Sequence, residues 1–175
     1  QEQAVVVSMG TGTAFIWARA GQPVEHLCGS GVGGGTLAGL CSRLCGTRQW
    51  SQIVKLAADG DVNRIDLTVG DLTRNSHPSL PLDITAATFD NISDDASPGD
   101  FAAGVINMVL QSIGTTAVMA CRARSCETVV LTGFMSSLPQ ARSCCDLFTR
   151  LHGVRFIIPE HATHATSIGA ALSIM

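Results

Sequence analysis

Ser8-Met9-Gly10-Thr11-Gly12-Thr13 lies between two apolar runs, residues 4–7 and residues 14–18. Two apolar runs joined by a short turn of Gly and Thr are typical of a β-hairpin. The two glycines allow positive φ and close approach to the backbone, and the two threonines add hydroxyl groups. Such a turn is either an ordinary hairpin turn or a concavity whose N–H groups hold an anion, most often phosphate.

A second glycine-rich stretch, Gly29-Ser30-Gly31-Val32-Gly33-Gly34-Gly35-Thr36, follows a third predicted strand at residues 24–28. Apolar residues at helical spacing come next, so the sequence predicts a helix over residues 37–44 that ends at Gly46. A bare loop that opens a helix N-terminus is a candidate anion site, and the alternative is a flexible linker. We expect this helix start to face the hairpin turn across a cleft.

The rest of the chain alternates helices and strands. The sequence predicts helices at residues 50–57, 65–72, 98–122, 138–151 and 167–172, strands at 128–131 and 154–158, and loops at 75–83 and 91–99. Ser97, before Pro98, is the predicted N-cap of the longest helix. The order predicts an α/β fold with one mixed five-stranded sheet and helices on both faces. The first three strands should be antiparallel, and the last two should join parallel to the first.

Composition argues against several classes of protein. The 175 residues are 46% hydrophobic with a net charge of −3 and no Lys/Arg cluster, which argues against a nucleic-acid partner. No apolar run predicts a membrane span and no signal segment opens the chain, so we expect a cytoplasmic protein that does not bind membranes. Because the sequence lacks an initiator Met and begins almost inside a strand, we expect it to be a piece of a longer protein, or the downstream half of one.

The cysteines and the acidic residues indicate no metal site. Seven cysteines without a C-x-x-C pair predict neither a disulfide framework nor a zinc site, and we interpret them as small buried residues in a reducing compartment. The spacing of Asp59, Asp61, Asp66 and Asp71 does not match a calcium loop. We interpret these acids as solvated faces and helix caps.

The order of elements resembles the ribonuclease-H-like fold, of which two lobes face each other in the sugar kinase, Hsp70 and actin superfamily of ATP-dependent proteins. A narrower resemblance rests on V-S-M-G-T-G-T, G-S-G-V-G-G-G-T-L-A-G-L, L-A-A-D-G-D-V-N-R-I-D-L-T-V-G-D, T-A-A-T-F, Q-S-I-G-T-T-A, V-L-T-G-F, P-E-H and S-I-G-A-A-L. Together these segments are similar to the downstream half of type II (eukaryote-like) pantothenate kinases. The resemblance covers nearly all of residues 1–175, as a single C-terminal lobe with inserted helices at roughly residues 47–97.

The resemblance implies a specific chemistry. That family transfers the γ-phosphoryl group of ATP to pantothenate with Mg²⁺, in the first step of coenzyme A synthesis, and its members are dimers. ATP and its phosphates would contact Gly10, Thr11, Gly12, Thr13, Gly33, Gly34, Gly35, Thr36, Gly133 and Phe134. Pantothenate would contact Thr11, His26 and Ala86. Acetyl-coenzyme A or coenzyme A is implied as a candidate feedback ligand.

Two features depart from that family. The upstream lobe, with its Mg²⁺-handling loop and its catalytic carboxylate, has no match here, so we expect this chain alone to hold no catalytic residue and to be inactive. His26 stands where the family generally has an Arg that contacts the substrate carboxylate. A histidine is only partly charged near pH 7 and lacks the guanidinium fork. Two alternatives therefore stay open: another small-metabolite or sugar kinase, and a catalytically silent lobe that binds nucleotide or coenzyme A esters.

Overall fold

A computed structural model describes residues 3–75, 77 and 81–174 of the chain. Its strands are β1 (Gln3–Met9), β2 (Thr13–Arg19), β3 (Glu25–Ser30), β4 (Leu67–Thr68), β5 (Thr85–Ala87), β6 (Thr128–Thr132) and β7 (Arg155–Ile157). Its α-helices are α1 (Gly34–Leu44), α2 (Trp50–Ala58), α3 (Val69–Leu72), α4 (Pro98–Ala123), α5 (Pro139–His152) and α6 (Ala165–Leu172). Short 3₁₀ turns occupy Val62–Arg64, Phe134–Ser137 and Ala162–His164.

Five strands form one mixed sheet in the order β3-β2-β1-β6-β7. β2 pairs antiparallel with both β1 and β3. β6 runs parallel to β1, and β7 runs parallel to β6. This arrangement confirms the predicted ribonuclease-H-like sheet, with three antiparallel strands followed by two parallel ones.

Alternate residues of β1 form the centre of the core. Val5, Val7 and Met9 are fully buried, whereas the intervening Val6 and Ser8 are half-buried. Because successive side chains of a strand point to opposite faces, both faces of β1 are covered, one of them more completely. The neighbouring strands add further buried side chains to this core, namely Phe15, Val129 and Leu131.

The chain divides into two compact units. One unit combines the N-terminal residues up to Thr36 with the C-terminal residues from Val109 onward, and it holds the five-stranded sheet. The other unit, Leu37–Met108, holds α2, α3 and the small antiparallel β4–β5 ladder. This second unit contains the inserted region predicted at residues 47–97 and extends beyond it at both ends. The assignment of both units to a single lobe stays a prediction.

Close contacts between backbones and a buried carboxylate hold the start of α4. The Ser97 hydroxyl accepts from the N–H of Asp100 (3.2 Å), as expected of an N-cap. The Asp100 carboxylate accepts from the N–H groups of Ser97 and Asp61, each at 2.8 Å. A Cβ atom added to Gly60 would lie 2.1 Å from the carbonyl oxygen of Gly99. The L-A-A-D-G-D stretch of residues 56–61 thus needs its glycine, Gly60, because two backbones meet there.

Helix α4 is the one described helix that is long and apolar enough, by length and composition, to cross a membrane, which the sequence pattern did not predict. Of its most apolar window, 61% is buried inside the protein, and a buried core helix passes the same test. Close packing explains part of this burial, because a Cβ atom added to Gly114 would lie 2.5 Å from a ring carbon of Phe148 on α5.

Some of the predicted local structure is wrong. The helix predicted over residues 65–72 is instead β4 followed by the single turn α3, whose start is capped by hydrogen bonds between Thr68 and Asp71. Strand β5 was absent from the prediction, and the predicted loop at residues 75–83 lies partly outside the described residues. Cys28 is exposed, which contradicts the interpretation of the cysteines as uniformly buried.

Replacing Asp100 tests the α4 cap. The N–H groups of Asp61 and Ser97 hold the pKa of Asp100 below its ordinary value of 3.8. A lowered carboxyl pKa contributes stability that is present above the ordinary value and is lost as the pH falls through the folded-state pKa. Asp100→Asn should therefore lower the free energy of unfolding at neutral pH by about 1 kcal/mol. The difference from wild type should shrink below about pH 4.

Urea unfolding at about pH 7, 5 and 3 measures this difference. The exposed Asp90 provides the control, since Asp90→Asn should leave the free energy of unfolding within about 0.5 kcal/mol of wild type. An Asp100→Asn difference that stays constant down to the lowest pH would contradict the cap.

Candidate functional site

Three glycine-containing loops meet at one end of the five-stranded sheet. They follow β1 (residues 10–12), β3 (residues 31–33) and β6 (Gly133), and we refer to them together as the glycine end. β1 and β6 are parallel, and β3 runs in the same direction because both β1 and β3 are antiparallel to β2. All three strands therefore finish at the same end. In open α/β sheets, ligands bind outside the carboxyl ends of the parallel strands.

The hairpin turn and the start of α1 are in direct contact. The N–H of Gly34 donates to the carbonyl oxygen of Gly10 (2.9 Å between N and O), and the N–H of Gly35 donates to that of Thr11 (2.8 Å). The expectation that the two elements face each other across a cleft is therefore wrong. Two of the N–H groups that a helix start leaves open are used by the protein itself, so they are not available to a phosphate.

This contact explains most of the glycines. A Cβ atom added to Gly33 would lie 2.7 Å from the Thr11 carbonyl oxygen, and one added to Gly12 would lie 2.8 Å from the Ser30 carbonyl oxygen. One added to Gly35 would lie 2.9 Å from Cγ2 of Thr11. None of these three glycines has a positive φ, so they serve close approach of backbones rather than an unusual conformation. Gly10 differs, because an added Cβ would meet nothing closer than 3.8 Å.

The threonine hydroxyls divide into two groups. Thr13 is buried and its hydroxyl donates to the carbonyl oxygen of Val32 (2.9 Å), while the hydroxyl of Thr36 donates to that of Gly31 (2.9 Å). Both therefore hold the loop that precedes α1. Thr11 is exposed at the hairpin tip, and within the described residues its hydroxyl makes no hydrogen bond. Thr11 is the predicted hydroxyl that is free to meet a ligand.

The hairpin tip also provides the open backbone donors. Neither the N–H of Thr11 nor that of Gly12 donates a backbone hydrogen bond inside the part of the chain that the structure describes. Together with the Thr11 hydroxyl, these two N–H groups form a small group of neutral donors. None of the three loops contains an Asp or Glu residue. Such a group can bind phosphate oxygens, because uncharged N–H and O–H donors stabilise an anion without a competing negative charge.

The turn after β6 completes the glycine end. Gly133 has a φ of 88°, and a Cβ atom there would lie 2.5 Å from the carbonyl oxygen of Met9, so only glycine fits. Its N–H donates to the carbonyl oxygen of Ala162 (2.9 Å). Phe134 follows with its side chain largely exposed. A Cβ atom on Gly34 would lie 3.6 Å from Cγ of Met135, so this turn also touches the start of α1.

The two remaining predicted substrate residues, His26 and Ala86, lie on strands rather than in the three loops. His26 is exposed on β3, opposite Ile16 across an irregularity in the ladder. It precedes Ser30 by four residues, which is roughly 13 Å along a strand. Ala86 is exposed on β5, in the Leu37–Met108 unit. The hairpin tip, the start of α1 and Gly133 are thus brought together. The imidazole of His26 lies beside Gly29, since a Cβ atom added to Gly29 would lie 4.0 Å from its Nε2, and Ala86 belongs to the other unit.

A buried polar cluster in the Leu37–Met108 unit was missed by the sequence interpretation. Asp66 is fully buried, and its carboxylate accepts from the backbone N–H of Phe89 (2.9 Å) and from Nδ2 of Asn107 (2.7 Å). The interpretation of Asp66 as a solvated or capping acid is therefore wrong. The position between Ile65 and Leu67, two apolar residues, is the signal in the sequence that hints at burial.

The described residues contain no group of three or more His, Cys, Asp or Glu side chains suited to a metal ion. Burial raises the pKa of Cys41 and of Cys121 to about 12, so these thiols stay protonated and unreactive at neutral pH.

A wide groove of about 760 Å³ lies at the opposite end of the sheet, beside Gln3, Arg19 and Arg155. We place the candidate site at the glycine end instead, because that end combines open donors with bare backbone.

Residues 4–172 match the protein family described as Fumble. The chain belongs to the Fumble family. Similar relatives are the type II pantothenate kinases of Staphylococcus haemolyticus (strain JCSC1435), 29% identical over 174 residues, and of Staphylococcus aureus (strain USA300), 29% identical over 171 residues. These findings confirm the resemblance noted from the sequence. The alignments cover 97% and 95% of this chain but only 65% and 64% of the two relatives, so this Fumble chain spans just under two thirds of their length.

A protein of Chromobacterium violaceum named as an N-acetylglucosamine kinase is similar in structure, with a TM-score of 0.42 and 17% sequence identity. The match covers 99% of this chain and 60% of that protein.

Gly33 and Gly31 of the Fumble chain form a matched pair of test positions. A Cβ atom at Gly33 would clash with the hairpin backbone at 2.7 Å, whereas one at Gly31 would meet nothing within 4 Å. Gly33→Ala should therefore destabilise the protein by about 1–3 kcal/mol, the usual cost of overpacking. Gly31→Ala should be neutral within about 0.5 kcal/mol. Urea unfolding of both variants measures the difference, and equal stabilities would contradict the contact between hairpin and helix.

Proposed function

We propose that the protein phosphorylates pantothenate to 4'-phosphopantothenate with ATP, and that this chain supplies an ATP- and substrate-binding lobe. The observation that carries the proposal is the match to two type II pantothenate kinases over 95% or more of the chain. The glycine end supports it, because phosphoryl transfer depends mainly on holding phosphates in place and stabilising their charge.

The nucleotide side of the proposal rests on the glycine end. The N–H groups of Thr11 and Gly12 would hold phosphate oxygens of ATP, with Gly10 leaving room for them. Gly33, Gly34, Gly35, Thr13 and Thr36 would act indirectly, since their groups brace the hairpin tip. The turn at Gly133 and Phe134 would contact adenosine.

The acceptor side rests on Thr11, His26 and Ala86. The Thr11 hydroxyl is exposed next to the proposed phosphates, which suits contact with the hydroxyl that accepts the phosphoryl group. His26 would meet the carboxylate of pantothenate and attract it only while the imidazole is protonated. Ala86 would present a small side chain to the acceptor.

The glycine end does not fit Mg²⁺ as a resident ion. Mg²⁺ is bound in proteins through carboxylates and phosphates, and the three loops contain neither Asp nor Glu. The metal used by the reaction would therefore reach this chain only as part of the nucleotide complex. We also propose a cytoplasmic homodimer with acetyl-coenzyme A or coenzyme A as a feedback ligand, on the family resemblance alone.

A coupled assay tests the proposed function. The protein expressed from its natural start codon should convert ATP to ADP only when pantothenate is added. Turnover that requires a sugar instead would favour the second candidate function, a sugar kinase, for which the departure at His26 is the motivating observation. Binding of ATP or of coenzyme A esters without turnover would favour a silent binding lobe.

Gly10→Val tests the phosphate contact with little risk to the fold. A Cβ atom added to Gly10 would meet nothing closer than 3.8 Å, so we expect the variant to unfold at the same temperature as wild type. It should nevertheless bind ATP at least about tenfold more weakly, because the new methyl groups would occupy the space proposed for phosphate. Calorimetric titration with ATP measures this. Gly39→Val is the control, since Gly39 is also open but follows Gly35, the last α1 residue that donates to the hairpin, by four residues. Equal ATP affinity in both variants would exclude the hairpin tip as the phosphate contact.

His26→Arg tests the acceptor. An arginine would supply two parallel hydrogen bonds to a carboxylate and a permanent charge. The KM for pantothenate should fall, with the KM for ATP unchanged. A rise in the KM for pantothenate in a normally folded variant would indicate that His26 serves a different acceptor.

A further inference from the structure

We propose that Asp66 and Asn107 are positioning residues that hold residues 85–89 in the conformation that binds the acceptor substrate. The inference deepens the proposed function and rests on it. It is carried by a hydrogen-bond network within the Leu37–Met108 unit, and it assigns a role to the fully buried Asp66 and the half-buried Asn107.

The network joins four positions. Asp66 accepts from the backbone N–H of Phe89 through Oδ1 (2.9 Å) and from Nδ2 of Asn107 through Oδ2 (2.7 Å). The same Nδ2 donates its other hydrogen to Oγ1 of Thr85 (3.0 Å). Both ends of residues 85–89 are thus tied to the same pair of side chains, one at Thr85 and the other at Phe89.

A second contact brings α4 within reach of Asp66. A Cβ atom added to Gly104 would lie 2.6 Å from Cγ2 of Ile65, so the absence of a side chain there lets the helix lie directly on Ile65. Asn107 follows Gly104 by three residues and therefore lies on the same face of α4. The short distance between helix and chain at Gly104 explains how Asn107 reaches the residue next to Ile65.

Stability alone does not account for a buried carboxylate in this setting. The hydrogen-bond partners of Asp66 among the described residues are both uncharged, and Asp66 is fully buried. Removing a charge from water without a cation partner is costly, and apolar residues in such places are often as stable or more so. A buried acid that accepts two directed hydrogen bonds suits a role in fixing geometry.

The backbone of the segment is held in a conformation that needs such support. Phe89 has a φ of 60°, which is unfavourable for a residue with a large side chain. Residues in such conformations persist where surrounding contacts determine them, and they concentrate at functional sites. The following chain is held too, since the N–H of Asn91 donates to the Ile65 carbonyl (3.1 Å) and that of Ser93 to the Arg64 carbonyl (2.9 Å).

The network leaves one residue of β5 facing outward. Ala86 is exposed, while its neighbours Thr85 and Ala87 are half-buried and pair with β4. The segment therefore presents a small side chain on a firmly held backbone, which suits a shallow contact with a small polar molecule. Because Ala86 is the acceptor contact proposed above and none of the proposed ATP contacts lies within residues 85–89, the network should affect the KM for the acceptor and leave the KM for ATP unchanged.

An exchange of the two side chains tests the network. In Asp66→Asn, the new amide oxygen can accept from only one of the two donors, the Phe89 N–H or the Asn107 Nδ2. The new NH₂ group then faces the other donor, so that hydrogen bond is replaced by a repulsion. In Asn107→Asp, two carboxylates meet. In the double variant, which combines both substitutions, the new amide can accept from the Phe89 N–H and donate to the new carboxylate. That carboxylate can also accept from the Thr85 hydroxyl, so the exchange restores complementary hydrogen bonds.

The measurements are the KM values for pantothenate and for ATP, made on the protein expressed from its natural start codon. Each single variant should raise the KM for pantothenate about tenfold or more, as expected for loss of a hydrogen bond to a charged group. The KM for ATP should stay within about twofold, and the double variant should return the KM for pantothenate to near wild type. Asp100→Asn is the control, since it weakens the same unit through the α4 cap without touching residues 85–89.

The possible results separate the hypotheses. A wild-type protein without pantothenate-dependent turnover overturns the proposed function and this assignment with it. An active wild type whose single variants fold and keep the wild-type KM for pantothenate overturns the positioning role alone. An equal rise in both KM values, or the same rise in Asp100→Asn, indicates a general structural role and also overturns it.

Thr85→Val keeps the proposal testable if the single variants do not fold. It removes only the hydroxyl that Asn107 contacts and conserves the shape of the side chain. It should raise the KM for pantothenate about threefold to tenfold with the KM for ATP unchanged, since a neutral hydrogen bond is weaker than one to a charge. An unchanged KM for pantothenate in this variant overturns the proposal.

Discussion

Two backbone hydrogen bonds, from Gly34 to Gly10 and from Gly35 to Thr11, determine the geometry of the proposed nucleotide site. They join the first turn of α1 to the hairpin turn between β1 and β2, so the loop after β3 cannot move independently of the loop after β1. The close approach requires glycine at residues 12, 33 and 35, where a Cβ atom would come within 3 Å of neighbouring atoms. The same contact uses donors of the helix start and leaves those of the hairpin tip open.

The contact between the hairpin turn and α1 shows that a glycine-rich sequence can serve backbone packing rather than phosphate binding. A loop rich in glycine at a helix N-terminus suggests direct phosphate binding. Here most of the glycines instead let one backbone approach another, and Gly10 is the glycine of the hairpin whose added side chain would have room. Substitutions at Gly12 or Gly33 would therefore report on folding before they report on a ligand, whereas Gly10 separates the two effects.

The Leu37–Met108 unit repeats this principle with polar side chains added. Gly60 lets the chain meet Gly99 at the start of α4, and Asp100 then caps two N–H groups. Further along α4, Gly104 allows the helix to lie on Ile65, and Asn107 reaches Asp66. In both places a glycine permits two chain segments to approach closely, and a buried carboxylate accepts hydrogen bonds from the groups brought near it. The L-A-A-D-G-D stretch of residues 56–61, part of one segment on which the family resemblance rests, is explained by packing at the first of these two places.

The sequence by itself determined the fold class and the family. Alternating apolar runs and helical spacing predicted the order of elements, because periodicity is a local property of the chain. The order in turn predicted the five-stranded sheet, and the glycine-rich segments identified the loops of the glycine end. Local pattern also predicted Ser97 as the cap of α4, because capping involves residues three apart.

Only the tertiary structure decided which residues of those loops are open to a ligand. Whether the N–H of Gly34 at the start of α1 is free depends on the carbonyl of Gly10, more than twenty residues away in sequence. No local sequence pattern predicts that these two groups come within hydrogen-bonding distance. Asp66 shows the same limit, since an acid beside apolar residues can face water or the core. Its burial follows from contacts with Phe89 and Asn107, which are far apart in sequence and meet only when α4 packs on Ile65.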